Sequence, residues 1–269
     1  MAALRHAYTA LLSALLFAAP AEAAESMEQV RECVRANAPR SAVVLEVSLQ
    51  TRDAKGESAP TRLKLYWRRL PDGEQRVLIR FSAPEELEGS AMLLQGLGDA
   101  RPRVHIYLPD LGKPQQVSSR EQLTRFLGRA DLGLEEIALL LDPVGDAKLR
   151  LLDGAKAVDG RPAWAFEWRA AEGEHPHYVR TVTFVDQRLC IPLRAELYEA
   201  DADAPRVMRV DPAQVSREAN SWIPHELIFR DPKDDVVRSL RIDGVEVDVP
   251  LAPSLLTVEA LSAGHAAKP

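Results

Sequence analysis

The sequence predicts a mainly β protein: a single antiparallel sheet of about eleven strands, curled into an incomplete, half-open barrel with short helices as lid or plug. Three observations carry this. Apolar and polar residues alternate with a period of two in segment after segment, the mark of strands with one dry and one wet face. Asp, Pro and Gly separate those segments at short intervals, as in a chain of hairpins. Only residues 26–38 and 121–141 carry a helical period of any length. A one-sided sheet of that width has an apolar face too large to leave in water, and so little helix covers it only if the sheet wraps around it.

Residues 1–23 begin with Arg5 and His6, continue as an apolar run over 10–19 and end in Ala21-Glu22-Ala23, the pattern of a cleaved secretory signal peptide. The run is far shorter than the roughly 20 residues that span a bilayer. The expectation is a periplasmic or secreted monomer with one domain over 24–269. Residues 26–38 place Met27, Val30, Cys33 and Val34 on one helical face, with Ser26 as N-cap and Pro39 just past the end. Residues 43–50 and 63–68 alternate as strands. Pro71-Asp72-Gly73 is a tight turn, and 77–81 returns as the second arm of the hairpin.

The stretch 81–137 reads as a strand end, an acidic loop closing at Gly89, two further strands, a Gly/Pro turn and a Gly-interrupted amphipathic segment. Strands are expected again over 147–158, 163–169, 177–185, 191–198, 206–210, 223–230 and 236–245, with a turn at Asp159-Gly160. Residues 251–260 could close the chain as a short helix.

The net charge of −6 offers no basic excess for nucleic acid. Cys33 and Cys190 are the only cysteines; in an exported chain thiols are normally oxidised, which predicts one disulfide between the helix and a late strand. Chemistry is poorly served. There is no nucleophile elbow and no Gly-rich phosphate loop. His175-Pro176-His177 and His105 match no metal-ligand spacing, so no metal, no cofactor and no enzymatic activity are expected.

Phe81-Ser82-Ala83-Pro84, the small residues Gly89-Ser90 before an apolar strand, Tyr107-Leu108-Pro109, and Phe126-Leu127-Gly128 leading into Glu135-Glu136-Ile137 together resemble the LolA-like family of periplasmic lipoprotein-sorting proteins. The chain looks most like the branch associated with exporters of the resistance-nodulation-division (RND) type. Arg129-Ala130 stand where the family pattern has one small hydroxyl residue. The resemblance implies a concave face that holds the acyl chains of a lipoprotein or free lipid under a helical lid. It also implies transient membrane contact and a partner that is an outer-membrane acceptor or an RND-type inner-membrane transporter.

On that reading the cavity is lined by Leu45 and Val47, by Leu63, Leu65 and Trp67, by Val77, Ile79 and Phe81, by Met92 and Leu94, and by Trp164, Phe166 and Trp168. The lid carries Phe126, Leu127, Leu132, Leu134 and Ile137, bracketed by Gly128 and Gly133 as hinges or simply as turns. Alternation is the same for a hollow barrel and a filled one, and also for a carrier and for an accessory subunit that docks on an exporter.

Overall fold

The computed structural model describes residues 26–97, 102–130, 133–145, 148–154, 156–171, 177–231 and 235–263. The predicted signal segment 1–23, the lid residue Leu132 and His175 lie outside them. Among the described residues no helix is long and apolar enough to cross a membrane.

Helix α1 (Met27–Asn37) starts where the sequence places it: the Ser26 hydroxyl accepts the Gln29 N–H, and the Gln29 side chain accepts the Ser26 N–H. Among the described residues, eleven strands of five residues or more follow. They are β1 (Ala42–Asp53), β2 (Thr61–Arg69), β3 (Gln75–Ala83), β4 (Ala91–Gln95), β5 (Arg103–Tyr107), β6 (Arg161–Arg169), β7 (Arg180–Asp186), β8 (Pro192–Tyr198), β9 (Arg206–Val210), β10 (Glu226–Asp231) and β11 (Val236–Val247). Their order in the sheet is β5-β4-β3-β2-β1-β11-β10-β9-β8-β7-β6, antiparallel throughout. Two meanders are thus joined by the long β1–β11 pair, whose register slips at Glu46/Val47; such a bulge sharpens the curl.

Strands β5 and β6 do not pair with each other, so the barrel stays open. The chain between them supplies α2 (Arg120–Ala130) and α3 (Leu134–Leu141), whose apolar residues join the core cluster of the sheet's inner face.

The structure departs from expectation in three places. Residues 147–158 do not form one strand: Arg150–Leu151 and Lys156–Val158 pair separately with β6, because Gly154, at φ 83°, breaks the run between them. Ala147 lies outside the described residues. Residues 223–230 are also split. Ser221–Pro224 forms a separate hairpin with Val215–Glu218, since Pro224 has no N–H to continue a ladder, and β10 starts two residues later. The amphipathic segment 121–141 becomes two helices. The turn at Asp159-Gly160 forms as expected, with both residues in the left-handed region that a primed hairpin turn requires.

On the outer face of β2–β5, Tyr66, Leu78, Ala91, Leu93 and Tyr107 are covered by Leu251, Leu255, Leu256, Val258 and Leu261. That C-terminal stretch, which includes the short α4 (Val258–Ala263), is bound through its backbone. Arg68 donates to the Leu251 carbonyl, Arg76 to that of Leu256 and Arg80 to that of Ala260. Two-sided burial explains why Val77-Leu78-Ile79 of β3 and residues 91–94 of β4 read as continuous apolar runs.

On the outer face of β6, Glu167 is buried beneath three guanidiniums, those of Arg169 at 2.8 Å, Arg150 at 2.9 Å and Arg180 at 2.6 Å. The Arg169 hydrogen bond, supported by Arg150 and Arg180 against the opposing effect of burial, pulls its carboxyl down to about 2. A carboxyl titrating near 4.3 in the unfolded chain and near 2 in the fold stabilises the protein above roughly pH 4.3, and that contribution is lost as pH falls through about 2. Acid unfolding followed by circular dichroism should therefore show a shallower pH dependence over this window in Glu167→Gln than in the native chain. Equal slopes would mean that the carboxylate is not held by the arginines.

Candidate functional site

Register places the expected lining residues on one side. Leu94, Val77, Trp67, Val43 and Val247 form one cross-strand row; Met92, Ile79, Leu65, Leu45 and Val245 form the next. Phe81, Leu63, Val47 and Ile242 form a third. From β1 to β4 all ten expected residues are buried in the main apolar cluster, each 4% exposed or less. The row through Phe166, Thr183, Ala195, Met208 and Phe229 carries the face across the second meander.

Of the three aromatic residues expected on β6, Phe166 and Trp164 pack in a separate cluster with Val30, Val34, Val144 and Val185, beneath α1. Trp168 is half-buried.

The helices occupy the concavity. Phe126 of α2 meets Phe81 edge-on at 5.8 Å between ring centres, and Leu127, Leu134 and Ile137 pack in the same cluster. Helix α3 is fastened at both ends. At its start, Glu136 accepts the Gly133 N–H at 2.5 Å and is paired with Arg206 at 3.1 Å and Arg238 at 3.2 Å. Arg206 also pairs with Asp231 at 3.2 Å. Burial opposes the Arg206 charge, but Tyr178, Glu136 and Asp231 outweigh it and hold its pKa above the ordinary value. Burial pushes the neighbouring Tyr178 phenol up, with the Glu136 carboxylate adding to it.

At its end, Asp142 accepts from Gln75 at 2.5 Å, and Gln75 in turn accepts the Trp67 indole N–H at 2.9 Å. Arg31 of α1 donates to the carbonyls of Val144 and Gly145, and Cys33 is disulfide-bonded to Cys190 with the Cα atoms 5.3 Å apart.

Two cavities flank α3. One of about 370 Å³ opens beside its first turn, between an apolar wall (Val104, Val117, Leu123, Leu127, Leu134) and a polar floor of Glu135, Glu136, Arg206 and Arg238, with Tyr178 and His177 adjoining. The other, about 80 Å³, lies at its last turn among Leu139, Leu140, Leu141, Trp67, Met208 and Trp222. Among the expected cavity and lid residues that the structure describes, Leu45, Trp67, Leu127 and Leu134 line one or other space.

Arg206 and Arg238 were not among the expected site residues. Their signal was nonetheless present, since each interrupts an inward-facing apolar series: Arg206, Met208, Val210 on β9 and Arg238, Leu240, Ile242 on β11. Of the histidines singled out in the sequence, the two described ones do not converge. His105 faces outward on β5 opposite Leu93, whereas the His177 ring packs at a tilt against Tyr178 at the inner rim. Among the described residues no group of three potential metal ligands occurs.

Fold and site define a class: a half-open β-barrel whose apolar inner face is plugged by its own helices. A family model described as an uncharacterized protein matches residues 73–263. No curated protein matches by sequence. Among solved structures, a domain from Vibrio parahaemolyticus assigned to outer membrane lipoprotein sorting superimposes with TM-score 0.75 at 16% identity, covering 87% of this chain and 97% of that one. A DUF1329 family protein from Desulfovibrio piger gives 0.74 at 20% identity, covering 87% and 96%. A LolA superfamily protein from Nitrosomonas europaea gives 0.65 at 17%, covering 86% and 96%. The chain belongs to the family of that model, and its fold is shared with these lipoprotein-sorting and LolA superfamily structures.

Proposed function

We propose that the protein is a periplasmic carrier, exported by a cleaved signal peptide, that takes acyl chains of a lipoprotein or free lipid onto its concave face. It would pass them to an outer-membrane acceptor or an RND-type transporter, without catalysis. One observation carries the reading: a broad apolar surface spans the inner face from β4 to β10 and is covered mainly by two short helices and the small 215–224 hairpin rather than by a second large sheet. Each methylene buried there contributes about 0.8 kcal/mol, so a ten-carbon stretch contributes roughly 8 kcal/mol before the cost of displacing the helices is subtracted. That leaves an affinity from which release is feasible.

The test is mass spectrometry, native and denaturing, of protein isolated from periplasm without detergent. A stoichiometric co-purifying lipid is expected. A protein that emerges empty and also fails to shield a fluorescent fatty-acid probe from quencher would overturn the carrier reading. It would leave the second one, an accessory subunit docked on an RND-type exporter. That alternative is favoured by the 80 Å³ that remains at the apolar end of α3, well below the roughly 300–1,000 Å³ of ordinary ligand pockets.

A further inference from the structure

Helix α3 lies along the path that an acyl chain would take. Its first turn lines the larger cavity and its last turn the smaller one, about 12 Å away for eight residues at 1.5 Å each. The two cavities differ in character. The larger has charged and hydroxyl-bearing walls, including Arg206, Arg238, Ser118 and Thr124, while the smaller is lined almost wholly by apolar side chains.

The helix matches this polarity. It presents one buried carboxylate, Glu136, to the two arginines, and then Ile137, Leu139, Leu140 and Leu141 to the apolar interior. In outline it is an anionic head followed by a hydrocarbon tail.

This has a consequence for any chain that enters. Hydrocarbon can occupy the axis only if α3 leaves it, and Glu136 leaves with α3. One negative charge is then withdrawn from between two guanidiniums that are only 18% and 11% exposed, with Asp231 remaining beside Arg206. Withdrawing that charge shifts the electrostatic balance around both side chains, and a bound anion restores it.

The geometry points to an anionic amphiphile as the cargo, its phosphate or carboxylate head on Arg206 and Arg238 in the place of Glu136 and its tail directed toward Trp222 and α1, with α3 as the built-in competitor. This rests on the carrier reading and adds to it the charge and the orientation of the ligand.

The experiment is titration calorimetry of the full chain, freed of lipid, with three probes: dodecyl phosphate, dodecanol and inorganic phosphate. Dodecyl phosphate is expected to bind about tenfold or more tighter than dodecanol, and inorganic phosphate not at all. In Arg206→Gln and Arg238→Gln the ratio between the two chains should fall toward one, while in Glu136→Gln both chains should bind several-fold tighter because α3 is released more easily.

Equal affinity of the native chain for dodecyl phosphate and dodecanol would overturn the head-group assignment and leave the carrier reading standing; this comparison needs no variant to fold. Binding of inorganic phosphate as tight as that of dodecyl phosphate would make the arginines a plain anion site and overturn it too. Failure of both chains to bind would overturn the carrier reading and this proposal together.

Discussion

Serine at both Cys33 and Cys190 will lower the unfolding free energy by between about 2 kcal/mol and about 5 kcal/mol, the upper figure being the chain-entropy value for a closed loop of this length. The bridge spans 157 residues and joins α1 to the turn before β8, next to the small apolar cavity. It fixes a helix that otherwise rests on Val30 and Val34, on the Arg31 bonds to Val144 and Gly145, and on Asn37, which both donates to and accepts from the Trp222 backbone. Urea denaturation with and without reductant measures this. The native chain should lose stability on reduction and the double serine variant should be indifferent to it; equal midpoints for all four samples would show that the bridge constrains little.

Trp67→Ala should cost about 3–5 kcal/mol, as truncation of a large buried aromatic does. Trp67 is 1% exposed and sits in the row between Val43 and Val77. Its loss leaves a void and also removes the donor that Gln75 accepts, at the head of a chain of bonds running through Asp142 to Gly145. The Trp67→Phe variant separates the two effects. It keeps most of the ring and leaves Gln75 with an unmet acceptor, for which about 1–3 kcal/mol is expected. If Phe is as costly as Ala, the bond chain matters more than the packing; if Phe is neutral, Gln75 finds another partner and α3 is not fastened through it.

Helix α1 is the element read most completely from sequence, because its cap, its apolar face and its terminating proline are all local. The β1–β5 strands follow closely, since a period of two on a half-buried sheet leaves little choice of register. The expected lining residues of β1–β4 face inward for the same reason. Two of the aromatic residues of β6 also face inward, yet they meet α1 and not the main cluster, because which helix covers which stretch of the face depends on where the chain returns.

What the sequence by itself determined about this protein is therefore its layer structure: a mainly antiparallel sheet of about eleven main strands, short of helix, with a disulfide available between Cys33 and Cys190. These properties are periodic or local, and alternation encodes them directly. Only the tertiary structure decided that the concavity is filled by α2 and α3, that α3 is fastened through Glu136 at one end and Asp142 at the other, and that Arg206 and Arg238 sit 32 residues apart in the chain but share one carboxylate. The physical reason is that filling and fastening depend on non-local pairing: two arginines on β9 and β11, either side of β10, and a glutamate from the connection between β5 and β6 acquire a shared role only when those strands pair and α3 packs over them.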